Sequence, residues 1–230
     1  MDAPRLTRVK VCCMASAAEA RLAVGLGASA VGLVAEMPSG PGPIPEPLIA
    51  EIAATVPPAI GTFLLTSIQD VPGIVAQVRR CGVNTVQIVD RLTTGEHADL
   101  RAALPGVSVV QVIHVGGEES FDEACAVAPL VDGILLDSGN QSLAVKELGG
   151  TGRRHDWSIS RRIRETVGVP VFLAGGLNAT NAAEAIRAVG PFALDVCSGV
   201  RTDGRLDEAK VTAFMAAVQA AAGSGARPTK

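Results

Sequence analysis

Tyrosine is absent from this chain of 230 residues, and five Phe and one Trp are its only other large rings. Single-stranded nucleic acid is held by stacking bases on aromatic side chains above a basic groove. Here 23 Asp and Glu outnumber 20 Lys and Arg, the formal charge is -3, and no basic run gathers. Nucleic acid is therefore not an expected partner. No apolar run approaches the roughly 20 residues a spanning helix needs, because Gly, Pro or a charge interrupts each candidate. The opening residues carry no secretory pattern, and no membrane association is expected, so a soluble cytoplasmic setting is the expectation. The five cysteines, at 12, 13, 81, 125 and 197, are odd in number and form no C-x-x-C pair. That argues against a disulfide framework and against a metal cluster shared with the three histidines. Free thiols in a reducing compartment, with no bound metal, fit best.

What the chain does carry is apolar mass. With 48% hydrophobic and 19% charged residues it can bury one sizeable core but hardly two. One domain over residues 1–221 is expected, and residues 222–230, rich in Gly, Ser and Pro, are expected to form a disordered tail. Eight β-branched, strand-like runs recur at 9–14, 31–35, 60–65, 83–89, 107–114, 131–137, 169–174 and 192–197. Stretches with helical spacing lie between and after them, at 16–26, 45–55, 70–81, 96–103, 119–128, 157–166, 180–189 and 207–221. Start and stop signals agree with these boundaries. Ser16 with Glu19 reads as a capping box, Asp156 stands just before Trp157, and Gly27, Gly82 and Gly190 close helices. Eight β-α repeats within about 200–250 residues match a closed parallel (β/α)8 TIM barrel. The rival is a doubly wound open sheet, whose dinucleotide fingerprint requires G-x-G-x-x-G after the first strand. This chain has Cys12-Cys13-Met14-Ala15 there.

Barrels of this type keep their chemistry at the carboxyl ends of the strands. Alternation along the first strand puts Lys10 and Cys12 on one face and Val9, Val11 and Cys13 on the other. Apolar side chains belong against the helices, so Lys10 and Cys12 are expected to point into the barrel and Cys13 to pack behind. An isolated cysteine is more often an inert buried residue than a reactive one, but a cation beside the thiol is what a reactive cysteine needs. Asp137 ends the sixth strand after Gly133-Ile134-Leu135-Leu136, where a carboxyl group can act as an acid or can simply cap the next loop. The loop Leu148-Gly149-Gly150-Thr151-Gly152-Arg153 is too long for a minimal turn and can cover a ligand. Gly175 and Gly176 follow the seventh strand, and Ser198 and Gly199 follow the eighth. Bare glycines at these two positions let backbone N–H groups approach a phosphate. Asp195 shares a face with Cys197 and is a candidate partner for a sugar hydroxyl.

Taken in order, these segments resemble the phosphoribosylanthranilate isomerase family of tryptophan biosynthesis. Lys10-Val11-Cys12 is similar to the family's opening strand. Leu135-Leu136-Asp137-Ser138, Gly149-Gly150-Thr151-Gly152 and Asp156-Trp157 are similar to its central signature. Ala174-Gly175-Gly176-Leu177 and Asp195-Val196-Cys197-Ser198-Gly199-Val200 are similar to its two phosphate loops. The resemblance implies an Amadori rearrangement of N-(5-phosphoribosyl)anthranilate, an aldose-ketose isomerisation without metal or organic cofactor. It implies Asp137 as general acid and Cys12 as general base. Lys10, Gln87, Gly150 and Asp195 would bind substrate, and Gly175, Gly176, Ser198 and Gly199 would hold its phosphate. The partner it implies is a small phosphorylated substrate, taken by a monomer or a homodimer.

The chain departs from the family pattern close to the substrate. The family carries an Arg after the second strand, where this chain has Pro38-Ser39-Gly40-Pro41-Gly42-Pro43. Its Val-Gln-Leu-His-Gly becomes Val86-Gln87-Ile88-Val89-Asp90, Cys13 replaces a glycine, and Cys197 replaces a serine. A substrate carboxylate would need another cation, for which Arg91, His114, Arg153 and Arg201 are the nearby candidates. Two further readings stand beside the isomerase. One is a related barrel acting on a different phosphorylated sugar or aminosugar. The other is a barrel that binds a phosphorylated metabolite without turnover.

Overall fold

β-Branched runs extend and the Ala-, Glu- and Arg-rich stretches coil, so that strand and helix alternate through the whole chain. A computed structural model describes residues 6–139 and 154–223. The first half runs β1 Arg8–Val11, α1 Ala17–Gly25, β2 Ala30–Val34, α2 Glu46–Thr55, β3 Gly61–Thr66, α3 Val71–Cys81, β4 Thr85–Ile88 and α4 His97–Ala103. The second runs β5 Ser108–His114, α5 Glu118–Val127, β6 Gly133–Asp137, α6 Trp157–Thr166, β7 Val171–Leu173, α7 Ala182–Val189, β8 Ala193–Val196 and α8 Glu208–Gly223. The eight strands are parallel and pair in chain order, and β8 returns to β1, so the sheet closes into a barrel. This is the expected (β/α)8 architecture. Helix α8 reaches Gly223, two residues beyond the expected domain end at 221. Gly150 with its glycine-rich loop, and 224–230 of the expected tail, lie outside the described residues.

Local signals set the boundaries. Asp70 caps α3 by accepting from the Gly73 N–H at 2.7 Å, and Asp156 caps α6 by accepting from Ser158 at 2.8 Å. Gly82 and Gly190 end α3 and α7 in the left-handed conformation. The capping box at Ser16 is only half formed. The Ser16 hydroxyl accepts from the Glu19 N–H at 3.2 Å, but the Glu19 carboxylate turns away to Ala15 N, Leu206 N and Arg201. Two of these partners, Leu206 and Arg201, come from the chain's far end, which local sequence cannot reveal.

One short element escaped the sequence reading: a hairpin of β9 Arg201–Thr202 and β10 Arg205–Leu206. Asp203 and Gly204 turn it at φ 49° and 76°, the positive-φ pair favoured by two-residue hairpins.

The outer faces of the strands join the helices in one apolar core, while a second cluster fills the barrel. In that interior Phe63 and Phe172 meet edge to face with ring centres 5.6 Å apart. Above Phe63 lies the fully buried Lys10, its Nζ 5.3 Å from the ring centre. Gly32 makes room for this layer, because a Cβ there would stand 2.6 Å from Cys12 Sγ and 3.1 Å from Lys10 Nζ.

Candidate active site

A cavity opens to solvent where the strands end, the place where barrels of this type keep their chemistry. Cys12 just after β1, Gln87 from β4, Asp137 from β6 and Asp195 from β8 all border it. Gly175, Gly176 and Ser198 border it from the loops after β7 and β8. Closure of the barrel brings these distant positions to one rim, and alternation along each strand turns their side chains inward.

Lys10 and Asp195 face each other in the β1–β8 register, and their ion pair closes at 2.8 Å with the Lys10 side chain wholly buried. Burial disfavours the ammonium, but Asp195, Cys12 and Cys13 outweigh it and hold Lys10 above its ordinary range. Burial is also the largest influence on Asp195 and raises it; Lys10 offsets this only in part, and the Asp137 charge adds to the rise. Asp195 Oδ1 is buried with no hydrogen-bond partner among the described residues, which leaves it available to a ligand hydroxyl. Lys10 itself sits beneath the cavity. It donates to Asp195 Oδ2 and, at 3.5 Å, to Cys12 Sγ, so it acts through these two groups. Gln87 Oε1 is likewise buried and unpartnered. Asp137 Oδ1 accepts from the Ser138 N–H at 2.7 Å.

Cys13 does not pack behind the strand as alternation predicts. Its φ of 65° is left-handed, which turns its side chain round to the cavity rim. A glycine meets no penalty in that conformation, whereas a cysteine persists there only because its surroundings hold it. Its sulfur lies 2.7 Å from that of Cys197 and 3.6 Å from Pro41 O. The Arg201 guanidinium donates to the carbonyls of Cys12 and Cys13 and pairs with Glu19 at 3.1 Å.

The glycine loop after β7 is held by Asn181, whose Nδ2 donates to Gly176 O at 2.9 Å, and Gly175 and Gly176 have φ of 88° and 63°. Gly199 does not border the cavity. A Cβ on it would stand 1.9 Å from Leu177 O, so this glycine allows the two loops to touch.

The segment after β2 where the family pattern departs supplies Ser39, Gly40 and Pro41 to the cavity wall, together with Met37, which sequence reasoning missed. Gly42 of the same segment does not border the cavity: a Cβ on it would press on Cys13 at 2.6 Å. Of the candidate cations, Arg91 is tied to Glu123 at 2.9 Å and Arg201 to Glu19, and Arg153 lies outside the described residues. His114 Nε2 donates to Val89 O at 2.9 Å, which leaves its buried Nδ1 unpartnered. No cationic side chain borders the cavity among the described residues, and none of their His, Cys, Asp and Glu form a group of three able to hold a metal. No described helix is long and apolar enough to cross a membrane.

Comparison with known proteins agrees along nearly the whole chain. The family described as N-(5'phosphoribosyl)anthranilate (PRA) isomerase matches residues 9–217. An N-(5'-phosphoribosyl)anthranilate isomerase of Haloferax volcanii is 37% identical over 221 residues, 95% of this chain and 96% of that protein. The solved phosphoribosyl anthranilate isomerase from Thermococcus kodakaraensis is 30% identical with a TM-score of 0.75, covering 93% of this chain and 99% of the other. A further crystal structure holds phosphoribosyl anthranilate isomerase in complex with reduced 1-(o-carboxyphenylamino)-1-deoxyribulose 5-phosphate, at 26% identity and TM-score 0.74 over the same shares of the two chains. By fold, by motif order and by these matches, the chain belongs to the N-(5'-phosphoribosyl)anthranilate isomerase family.

Proposed function

We propose that this chain converts N-(5-phosphoribosyl)anthranilate into 1-(2-carboxyphenylamino)-1-deoxyribulose 5-phosphate by an Amadori rearrangement. The observation that carries the reading is that Cys12 and Asp137, at the ends of β1 and β6, border one cavity with the glycine loop after β7. The substrate phosphate binds at Gly175, Gly176 and Ser198, where backbone N–H groups approach closely, and Gly199 keeps that loop pair together. Asp137 protonates the ribose ring oxygen, and the ring opens to an iminium ion. Cys12 removes the proton from C2, leaving an enolamine that tautomerises to the ketone. Both steps are proton transfers, which a positioned carboxyl and thiolate can perform. Lys10 provides the positive charge behind Cys12 and Asp195, and Asp195 and Gln87 take the sugar hydroxyls with their unpartnered oxygens. The anthranilate ring lies among Met37, Pro41, Leu65 and Val112. Gly150, outside the described residues, completes the proposed substrate-binding set.

The test is turnover of phosphoribosylanthranilate by the purified full chain, joined to rescue of a bacterial strain that lacks this isomerase. Inactive wild-type protein that still gains thermal stability from inorganic phosphate would overturn the substrate assignment. That no cationic side chain borders the cavity among the described residues favours a second reading, a different phosphorylated sugar or aminosugar carrying no carboxylate. That reading expects a panel of phosphosugars to raise the melting temperature more than the anthranilate compound does. If ligands bind and none is turned over, the chain is a binding protein.

A further inference from the structure

The two cysteines that replace a glycine and a serine of the family pattern stand together. Cys13 and Cys197 lie on opposite sides of the β1–β8 seam, their sulfurs 2.7 Å apart, and both border the cavity. The pairing is built by the surroundings. Cys13 is locked in a left-handed backbone conformation with Gly42 against its Cβ, which leaves its side chain little room to turn away. Arg201, four residues after Cys197, donates to the Cys12 and Cys13 carbonyls and is itself anchored by Glu19. One guanidinium thus holds the two thiol-bearing loops against each other. The charges around the pair are unequal. The hydrogen bond with Cys13 lowers the Cys197 thiol, burial and the Asp195 charge oppose this, and the Arg201 and Lys10 cations add to the lowering. Hydrogen bonds with Cys12 and Cys197, together with burial, push Cys13 well above its ordinary value. A thiolate attacker and a protonated partner in contact are the elements of a reactive dithiol.

We infer that Cys13 and Cys197 form a reversible disulfide when the protein meets a hydroperoxide entering through the cavity, and that the bridge stops turnover. The Cys197 thiolate attacks a peroxide oxygen and breaks the O–O bond. This gives a sulfenic acid and, from hydrogen peroxide, a hydroxide that takes up a proton to leave as water. The Cys13 sulfur then attacks the sulfenyl sulfur. The S–S bond forms, the S–O bond breaks, and the hydroxyl group departs with the Cys13 proton as a second water. Two thiols and one hydrogen peroxide become one disulfide and two waters, with two electrons passing from sulfur to oxygen. The sulfurs close by only about 0.7 Å to reach a bonded separation, so no large rearrangement is required. The cost falls on the neighbours. Cys12 adjoins one end of the bridge and Ser198 the other, and displacements of this size at reacting groups cost turnover about a hundredfold. The effect on turnover rests on the proposed isomerase activity, whereas formation of the bridge does not.

The experiment exposes the reduced full chain to one equivalent of hydrogen peroxide and follows thiol count, intact mass, peptide linkage and turnover. The expected result is a fall from five free thiols to three, the loss of two hydrogen atoms and a peptide joining Cys13 to Cys197, all reversed by dithiothreitol. Cys12→Ser still forms the bridge, and Cys13→Gly and Cys197→Ser both fail to. A bridge through Cys12, a link between two chains, or added oxygen without a bridge would overturn the pairing. Turnover in the oxidised wild type falls at least tenfold and returns on reduction; a bridged protein that keeps its rate would overturn the gating. If no substrate is turned over by the reduced protein, the isomerase reading fails, and the thiol count and peptide map still decide the pairing.

Discussion

Replacing Lys10 by Met removes the cation from a pair whose members are 0% and 7% exposed at the side chain, and leaves a buried Asp195 carboxylate without a partner. Breaking such a pair from one side costs about 3–5 kcal/mol, because the surviving charge keeps its desolvation penalty and loses its attraction. For a domain of this size each kcal/mol lowers the melting temperature by about 2–4 °C, so the expected drop is about 6–20 °C. Met fills much the same volume beside Phe63, which keeps a packing defect from dominating. The second arm is the Lys10→Met, Asp195→Leu double variant, in which both charges go and most of the loss is expected to return. In the single variant burial raises Asp195 in the folded state above its unfolded value, so the native form binds the extra proton. Stability is then fully present below the unfolded value near 3.9 and drains away as pH rises through the folded value. The single variant's deficit should therefore be smaller at pH 4 than at pH 7 in urea unfolding. A loss under about 1 kcal/mol at pH 7, or a double variant as unstable as the single, would refute the reasoning.

Cys12→Ser and Asp137→Asn are each expected to lower turnover at least about a hundredfold while leaving the urea midpoint near wild type; near-normal turnover in either would remove its assigned role. Gly199→Ala drives a methyl group into Leu177 O, 1.9 Å from the ideal Cβ, and should cost about 2–3 kcal/mol together with phosphate affinity. Gly25→Ala at the exposed end of α1, where no atom lies within 4 Å, should instead gain about 0.5 kcal/mol; equal losses from the two changes would contradict the packing account. Burial holds His155 below its ordinary 6.5, with Asp137 and Asp156 opposing. The native state then binds fewer protons, so stability is full above the unfolded value near 6.5 and falls as pH drops below it toward the lower folded value. His155→Gln should flatten that part of the urea-midpoint curve, and an unchanged slope would exclude His155 as its source.

Architecture was legible because its signals are local. Strand and helix alternate with a period visible in short windows, cap residues such as Asp70 and Asp156 stand within three positions of the N–H groups they satisfy, and parallel β-α repeats close only in a few ways. The inward placement of Lys10 and Cys12, and the shared face of Asp195 and Cys197, followed from the same two-residue alternation, whereas Asp137 was marked by its place at the end of an apolar strand. The Asp203-Gly204 turn was equally open to reading, since Asp-Gly is a known hairpin signal, and it was overlooked.

By itself, then, the sequence determined the order of elements, the faces of the strands and the rim where reactive groups gather, all of which depend on neighbours a few residues apart. Only the tertiary structure decided the facing of Cys13, the partners of Glu19, the use of Gly199 and the absence of a described cation from the cavity rim. Cys13 breaks alternation because its backbone turns left-handed at 65°, a conformation that cysteine as a residue type does not announce. Glu19 abandons its own helix for Arg201, 182 positions away, and Gly199 yields to a carbonyl on the neighbouring loop. These choices are made by groups that meet only when the barrel closes, and pairwise contact at long range leaves no local pattern to read.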